Sequence, residues 1–330
     1  MHPVAEAWFA HRTWQTPSWT VDELVAAKNG RRVCVVLPAL DEAATVGEIV
    51  TAIATLTTGA HPLVDELVVM DSGSTDRTCE IAASAGARVV LRTDVLPDLP
   101  PLPGKGEVLW RSLAATTGEI VCYLDSDLID FDPGFIVALL GPLLCADGIH
   151  LVKGFYRRPL QSLGAEAATG GGRVTELLVR PLLTALRPEL TGVIQPLGGE
   201  YAATRDLLES VPFAPGYGVE TGLLLDTCDL VGLDAIAQVN LGVRRHRNQT
   251  LLQLGVMARQ ILASAALRCQ IADGRDGITQ FVQVDGEWLA STTTIDAAER
   301  PPMRQVLDRD PEPRRPLPPA GSHRSRTARY

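Results

Sequence analysis

The chain is poor in the features that mark membrane, secreted and nucleic-acid-binding proteins. No apolar stretch reaches the roughly 20 residues that a bilayer span needs. Met1 to Asn29 has no continuous apolar core, so no signal peptide is expected. Lys and Arg together number 30 against 39 Asp and Glu, and the net charge of −9 argues against nucleic acid as a partner. The six Cys are scattered singly, none in a C-x-x-C pair, and mostly within apolar segments. They read as buried, reduced thiols of a cytoplasmic protein. There is no internal repeat. What is present is globular: 330 residues, 46% hydrophobic and 21% charged, enough for a large core and one or two domains. The charge is uneven, because residues 300–330 hold eight Arg against three acids.

The first half alternates short apolar runs with helical patterns. Strands are expected at Arg32 to Leu37, Glu66 to Met70, Ala87 to Leu91 and Glu119 to Leu124. Helices are expected at Thr45 to Leu56, Thr78 to Ala85, Gly106 to Ala115 and Pro133 to Leu144, with a Pro-rich loop at Leu96 to Pro103. Such alternation implies an α/β fold, a mostly parallel Rossmann-like sheet with helices on both faces. Ligands of such sheets bind beyond the C-terminal strand ends. The second half is less regular. Strands are expected at His150 to Tyr156, Glu200 to Thr204 and Ala235 to Asn240. Helices are expected at Val174 to Leu186, interrupted by Pro181, then at Val219 to Cys228 and Leu251 to Ala272. Four regions follow: a helical extension over 1–30, a nucleotide-sugar-binding part over 31–150, an acceptor-binding part over 151–285, and an extension over 286–330. From residue 300 the last is rich in Pro and Arg with few apolar residues, and is expected to be disordered.

Chemistry gathers at the strand ends. Asp125-Ser126-Asp127 closes the apolar run Ile120 to Leu124, and two carboxylates one residue apart suit Mg²⁺ or Mn²⁺ with positions left for phosphate oxygens. Alone, such a pair is far more often a loop or a helix cap. Pro38-Ala39-Leu40-Asp41-Glu42 follows the first strand and reads either as an edge for a base and ribose or as a capping turn. Asp71 to Asp76 follows the second, with Asp76 suited to a cap and Asp71 and Ser72 to a ligand. Pro103-Gly104-Lys105-Gly106-Glu107 opens a helix, where two Gly allow close approach to an anion. It lacks the spacing of a Walker A loop. Thr169 to Thr175 offers three Gly, then Arg173 and Thr175 at a helix start, a set suited to phosphate or carboxylate, or else a linker. Arg244-Arg245-His246-Arg247-Asn248 holds an imidazole able to complete a two-Asp metal site, beside cations able to balance a diphosphate. Gly216-Tyr217-Gly218-Val219-Glu220 leads into a helix, and Glu220 suits sugar hydroxyls, a general base or the helix dipole.

Together these strings resemble the nucleotide-diphosphosugar glycosyltransferases of the A-type fold. Phe155 to Pro159, Gly170 to Glu176, Gln195 to Tyr201, Pro215 to Glu220 and Val239 to Asn248 narrow the resemblance to the actinobacterial glucosyl-3-phosphoglycerate synthases, from about Trp14 to about Phe281. The resemblance implies a retaining transfer of glucose from UDP-glucose to the 2-hydroxyl of D-3-phosphoglycerate, the first step towards glucosylglycerate and methylglucose lipopolysaccharide. Mg²⁺ is the implied ion, with Mn²⁺ or Co²⁺ substituting. Pro38, Ala39, Leu40, Glu42 and Ser72 would surround the uridine. Lys105 would face the nucleotide, with Asp125 and Ser126 on the ribose or glucose side. Asp127 and His246 match the metal positions. Gly172, Arg173, Val174 and Thr175 match the phosphoglycerate site, and Arg244, Asn248 and Met257 further acceptor or diphosphate contacts. Leu197, Tyr217 and Glu220 match the glucose and acceptor pocket. Catalysis is expected to rest on Asp125, Asp127, Leu197, Glu220 and Arg244. A homodimer built through the C-terminal part is implied, with no nucleic acid and no membrane span. Transfer from GDP-mannose, and a catalytically silent phosphoglycerate-binding protein, are the competing expectations. A sugar-1-phosphate nucleotidyltransferase is disfavoured, since it would want a Gly-rich loop with Arg where Pro38-Ala39-Leu40 stands.

Overall fold

The computed structural model describes residues 1–157, 172–244, 250–274, 277–296 and 298–307. Its centre is an eight-stranded sheet: β1 (Thr13–Trp14), β2 (Val33–Ala39), β3 (Glu66–Asp71), β4 (Arg88–Leu91), β5 (Ile120–Tyr123), β6 (Leu151–Arg157), β7 (Tyr201–Thr204) and β8 (Ile236–Val243). The spatial order is β1-β8-β6-β7-β5-β2-β3-β4. Neighbours run parallel everywhere except around β7, which is antiparallel to both β5 and β6. The sheet is therefore mixed, and it takes strands from both sides of residue 150.

Strand β2 shows why the layers form. Val33, Val35 and Leu37 point into one core, with α3 (Val46–Ala54) and α6 (Gly134–Cys145); Cys34 and Val36 point into the other, with α5 (Lys105–Ala115) and α9 (Val219–Val231). An apolar residue at every position is what a strand covered on both faces requires. Helix α3 buries Val46, Ile49, Val50 and Ile53, the spacing of one helical face. The N-terminal region contributes α1 (Pro3–Arg12) and α2 (Val21–Lys28). A capping box formed by Thr20 and Glu23 starts α2, and the Trp8 indole donates to the Ile236 carbonyl at 2.8 Å, tying α1 to β8.

Three details depart from expectation. The helix expected over Val174 to Leu186 is a π-helix at Thr175–Val179 followed by α7 (Arg180–Leu186). Pro181 has no N–H for the Leu177 carbonyl, so the ladder cannot run through as a plain α-helix. Beyond α8 (Arg205–Leu208) and α10 (Leu251–Arg268), residues 278–293 form a hairpin, β9 (Ile278–Val284) and β10 (Glu287–Thr293), that the sequence reading left unassigned. The disorder expected from residue 300 does not hold for residues 300–307. Arg300 pairs with buried Glu107 at 2.6 Å, the Trp110 indole donates to the Pro301 carbonyl at 2.8 Å, and α11 (Met303–Val306) sinks Met303 fully into the core. Residues 308–330 lie outside the described residues. All six Cys are free thiols, but only Cys34 and Cys122 are buried, and Cys145 is exposed.

Candidate active site

Antiparallel β7 decides the geometry. Because it reverses, the residues entering it lie beside the C-terminal ends of β5 and β6. Tyr201 pairs with Tyr123 on one side and with Lys153 on the other. The segment 195–200 is thus pressed against Asp125. A β-carbon on Gly199 would lie 2.6 Å from Asp125 Oδ1, and one on Gly198 would lie 2.9 Å from the Gly154 carbonyl oxygen. Glycine is required there for close approach, not for turning.

A second glycine contact places the lysine. Gly104 and Gly106 flank Lys105 at the start of α5. A β-carbon on Gly104 would meet the Gly216 Cα at 2.7 Å, and one on Gly106 would overlap the Ala214 carbonyl. The two Gly therefore admit the backbone of the 214–216 turn rather than an anion, as the sequence reading had it. That packing lets Lys105 bridge two elements. Its ammonium is 2.5 Å from Asp125 Oδ1 and 2.8 Å from Oε1 of Glu220, in the first turn of α9.

Arg244 comes from the end of β8 and is held on every side. Nη2 lies 2.8 Å from Asp125 Oδ2 and 3.1 Å from Asp127 Oδ1. Nη1 donates to the Tyr156 hydroxyl at 2.7 Å, and Nε lies 3.1 Å from Glu200 Oε1. The two aspartates consequently differ. Burial opposes ionisation of Asp125, but Lys105 and Arg244 hold its carboxyl well below the usual range. Asp127 is pushed up, first by burial and then by the charge of Asp125, with Arg244 offsetting only part. Asp127 is the carboxylate short of positive charge, which is the property a divalent cation would satisfy.

The nucleotide-edge candidates are brought together. The Ser72 N–H donates to the Ala39 carbonyl at 2.9 Å, so the turns after β2 and β3 touch. Pro38 and Ala39 end β2 and Leu40 is exposed beside them. The Glu42 N–H donates to Thr78 Oγ1 at 2.8 Å. Asp41 accepts from the Thr75 N–H at 2.7 Å, and Asp71 from the Gly73 and Ser74 N–H groups at 2.8 and 2.9 Å, so both acids serve their turns. Asp76, expected as a cap, stands one residue ahead of the N-cap Arg77 and accepts from the Thr78 N–H at 2.9 Å. Ser126 is buried, its hydroxyl donating to the Pro38 carbonyl and its own carbonyl accepting from Thr45 Oγ1 at 2.6 Å. Its side chain fastens β5 to β2 rather than facing a ligand.

Several acceptor candidates gather around α10. Arg173 is exposed, Val174 and Thr175 are buried at the start of the π-helix, and Gly172 accepts a bond from the Glu176 N–H at 3.1 Å. The π-helix packs on α10, which carries half-buried Met257. Tyr217 is partly exposed, and its N–H donates to Gln260 of α10 at 3.1 Å. Leu197 is half-buried. His246 and Asn248 lie outside the described residues. Among the described residues no group of three or more His, Cys, Asp or Glu is placed to hold a metal.

The sequence reading gives no role to Lys153, Tyr156, Gly199 or Glu200. One signal was available: Lys153 interrupts the run Leu151-Val152-Lys153-Gly154-Phe155, a charge inside a strand expected to be covered on both faces.

The chain is similar to proteins that are already known. The model of glycosyl transferase family 2 matches residues 34–144. A glucosyl-3-phosphoglycerate synthase of Mycolicibacterium smegmatis is 61% identical over 302 residues, covering 92% of this chain and 99% of its own. Among solved structures, a glucosyl-3-phosphoglycerate synthase from Mycobacterium tuberculosis in complex with Mn²⁺, UDP-glucose and phosphoglyceric acid is similar at a TM-score of 0.81 and 56% identity, over 89% of this chain and 98% of that one. The same enzyme with Mg²⁺ and UDP gives 0.82 and 55%, over 89% and 99%.

Proposed function

The chain belongs to the glucosyl-3-phosphoglycerate synthases, glycosyltransferases of the A-type α/β fold, and from that premise we propose that it moves glucose from UDP-glucose to the 2-hydroxyl of D-3-phosphoglycerate with retention. The observation that carries the site assignment is the convergence of Lys105, Asp125, Asp127, Glu220 and Arg244 at the strand ends around β7. Pro38, Ala39, Leu40, Glu42 and Ser72 form the uridine edge. Arg173 and Thr175 take the phosphate of the acceptor, with Asn248, and Leu197, Tyr217 and Met257 line the sugar and acceptor side.

Asp127 would hold the cation together with His246, and its poorly compensated charge supports this. Mg²⁺ or Mn²⁺, when bound, supplies charge neutralisation for the diphosphate. The chain's own residues do the rest. Lys105 and Arg244 lie where negative charge grows as UDP departs, which lowers the barrier to leaving. Asp125 and Glu220 are both bound to Lys105, at 2.5 and 2.8 Å, so neither is free to attack the sugar. That supports same-face attack by the acceptor through an oxocarbenium-like state, its proton passing to a UDP phosphate oxygen. The backbone at Leu197 orients the acceptor hydroxyl.

We propose in addition a cytoplasmic homodimer joined through the C-terminal part. Six free thiols support the compartment. The pairing is supported by exposed Leu251, Leu262 and Leu267 on α10, and by Phe281, Trp288 and Leu289 on a hairpin of a kind that is marginal in water alone. No helix among the described residues is long and apolar enough to cross a membrane.

The test is UDP or GDP release with Mg²⁺ present, using UDP-glucose and GDP-mannose as donors and 3-phosphoglycerate and glycerate as acceptors. UDP-glucose with 3-phosphoglycerate should lead. Faster turnover of GDP-mannose, or no turnover at all, overturns the assignment.

A further inference from the structure

We propose that Lys153 is a positioning residue for the transfer, its ammonium holding the Leu197–Gly199 backbone against Asp125 through the Gly198 carbonyl. The role rests on the glucosyl-transfer reading above. Lys153 stands in the middle of β6, opposite Tyr201 of β7 and Gln238 of β8, and is 2% exposed. A charge is costly there, and an apolar side chain would pack a central strand more cheaply. Its neighbours Leu151 and Val152 are what such a position ordinarily holds.

The contacts explain what the charge does. Lys153 Nζ donates to the Gly198 carbonyl at 2.6 Å and lies 4.7 Å from the centre of the Tyr201 ring. The Gly198 N–H donates to the Gln195 carbonyl at 3.0 Å, and the Gly154 N–H donates to the Glu200 carbonyl at 2.8 Å. Steric limits close the remaining directions, since Gly198 has no room for a β-carbon against Gly154, nor Gly199 against Asp125. The peptide between Leu197 and Gly199 is therefore fixed by contact on two sides and by a charged donor on the third. Its two neighbours are the acceptor-orienting backbone at Leu197 and the carboxylate that anchors Lys105 and Arg244. A change at Gly198 is transmitted to both.

The charged groups facing Lys153 come from each packed element: Glu220 of α9, Lys105 of α5, Glu200 ahead of β7 and Asp125 after β5, together with the Tyr201 phenol. The buried Tyr201 hydroxyl has no hydrogen-bond partner among the described residues, so Lys153 donates to the Gly198 carbonyl and not to it. Burial lowers the pKa of the ammonium to about 8, with Glu220 opposing the shift and Lys105 adding to it. The group differs from an ordinary surface lysine in a measurable way. Its proton is lost as pH rises through that value, and the anchoring bond weakens with it.

The experiment uses the full chain with UDP-glucose, 3-phosphoglycerate and Mg²⁺, comparing the unaltered protein with Lys153→Met and Lys153→Arg. In the unaltered protein kcat should fall on the alkaline side, with an apparent pKa near the lysine's own. Lys153→Met should lower kcat by about 10²-fold while the KM for UDP-glucose stays within about threefold, the mark of lost geometry rather than lost binding. Lys153→Arg should keep kcat within about tenfold and lose the alkaline fall, because a guanidinium stays charged. Should Lys153→Met fail to fold, the Arg variant and the unaltered profile decide. A kcat for Lys153→Met within about threefold of normal overturns the proposal. So does an alkaline limb that is absent from the unaltered protein up to about pH 9.5 or unchanged in the Arg variant. An unaltered chain that does not turn over these substrates overturns the substrate assignment instead, and this role with it.

Discussion

Gly199→Ala tests the architecture of the site with one methyl group. The glycine has no positive φ, so alanine meets no backbone strain, and the effect is confined to contact with Asp125. The new β-carbon would start 2.6 Å from Oδ1 and closer still to Oδ2, whereas ordinary contact begins at 3.4 Å. The carboxylate must withdraw by roughly 0.8 Å or more to restore normal contact distance. It cannot withdraw alone, since Lys105 binds Oδ1 at 2.5 Å and Arg244 binds Oδ2 at 2.8 Å. The displacement therefore moves both cations proposed to face the diphosphate. A shift of about 1 Å in a reacting constellation costs on the order of 10²-fold in rate, about 2.7 kcal/mol of barrier. We expect kcat/KM for UDP-glucose to fall by about that factor. The assay is coupled UDP release at saturating 3-phosphoglycerate, with thermal melting to confirm the fold. Gly274→Ala is the control, because its β-carbon enters open space. A Gly199→Ala enzyme within about threefold of normal would refute the claim that this contact sets the position of Asp125.

Asp127→Ala and His246→Ala should each lower kcat by roughly 10²-fold or more with the fold retained, and near-normal activity of His246→Ala at limiting Mg²⁺ would remove the histidine from the metal site. Arg173→Ala should raise the KM for 3-phosphoglycerate by at least about tenfold and leave that for UDP-glucose nearly unchanged, as loss of one charge-assisted bond predicts; equal weakening of both would make the segment structural. Met303→Ala should cost about 2–5 kcal/mol, the scale for a fully buried Met, and lower Tm by several degrees, whereas an unchanged Tm would detach α11 from the core. Burial disfavours charge on Glu107, yet Arg300 and Arg111 hold its carboxyl below the usual range, so its contribution is full above the unfolded value of about 4.3 and is lost as pH falls through the lower folded value. Glu107→Gln should therefore show a smaller drop in Tm between neutral and acid pH than the unaltered protein.

The residues that were legible in the sequence are those whose signal is local. The β2, β3 and β5 runs are apolar and end in polar strings, so the strands and the ligand-facing ends emerge together. Asp125 and Asp127 stand out because charge follows immediately on a buried run, and Lys105 because two Gly flank it where a helix opens. The reversal of β7 is not legible, because an apolar strand carries no mark of its direction. With that reversal hidden, Gly199 looks like part of a loop and Glu200 like the start of an ordinary strand, and their contact with Asp125 and Arg244 has no sequence sign. The segment 300–307 was read as disordered from its Pro and Arg content. Its order comes from partners far away in sequence, as with Arg300 and Glu107, which are 193 positions apart. The hairpin over 278–293 was missed for a different reason: both strands are mostly exposed and mix polar with apolar residues, so neither period dominates.

The two aspartates of the Asp-x-Asp pair look equivalent in sequence and are opposites in the fold. Asp125 is bound by two cations and needs no metal to stay ionised. Its carboxylate is the fixed point from which Lys105 and Arg244 are aimed. Asp127 shares one edge of Arg244 and faces the negative charge of Asp125. Counting the charged partners, Lys105, Lys153 and Arg244 stand among Asp125, Asp127, Glu200 and Glu220, so the described cluster carries one carboxylate more than it has cations. The deficit falls on Asp127, whose carboxyl is pushed up by burial and by the charge of Asp125. A divalent ion beside it would relieve the deficit and leave one positive charge over, which a departing diphosphate can use. On this argument Asp125→Asn and Asp127→Asn fail differently. The first should disturb Lys105 and Arg244 and lower kcat at any metal concentration. The second should raise the Mg²⁺ concentration needed for half-maximal rate, and a pair of variants with the same metal dependence would show that the division of labour is wrong.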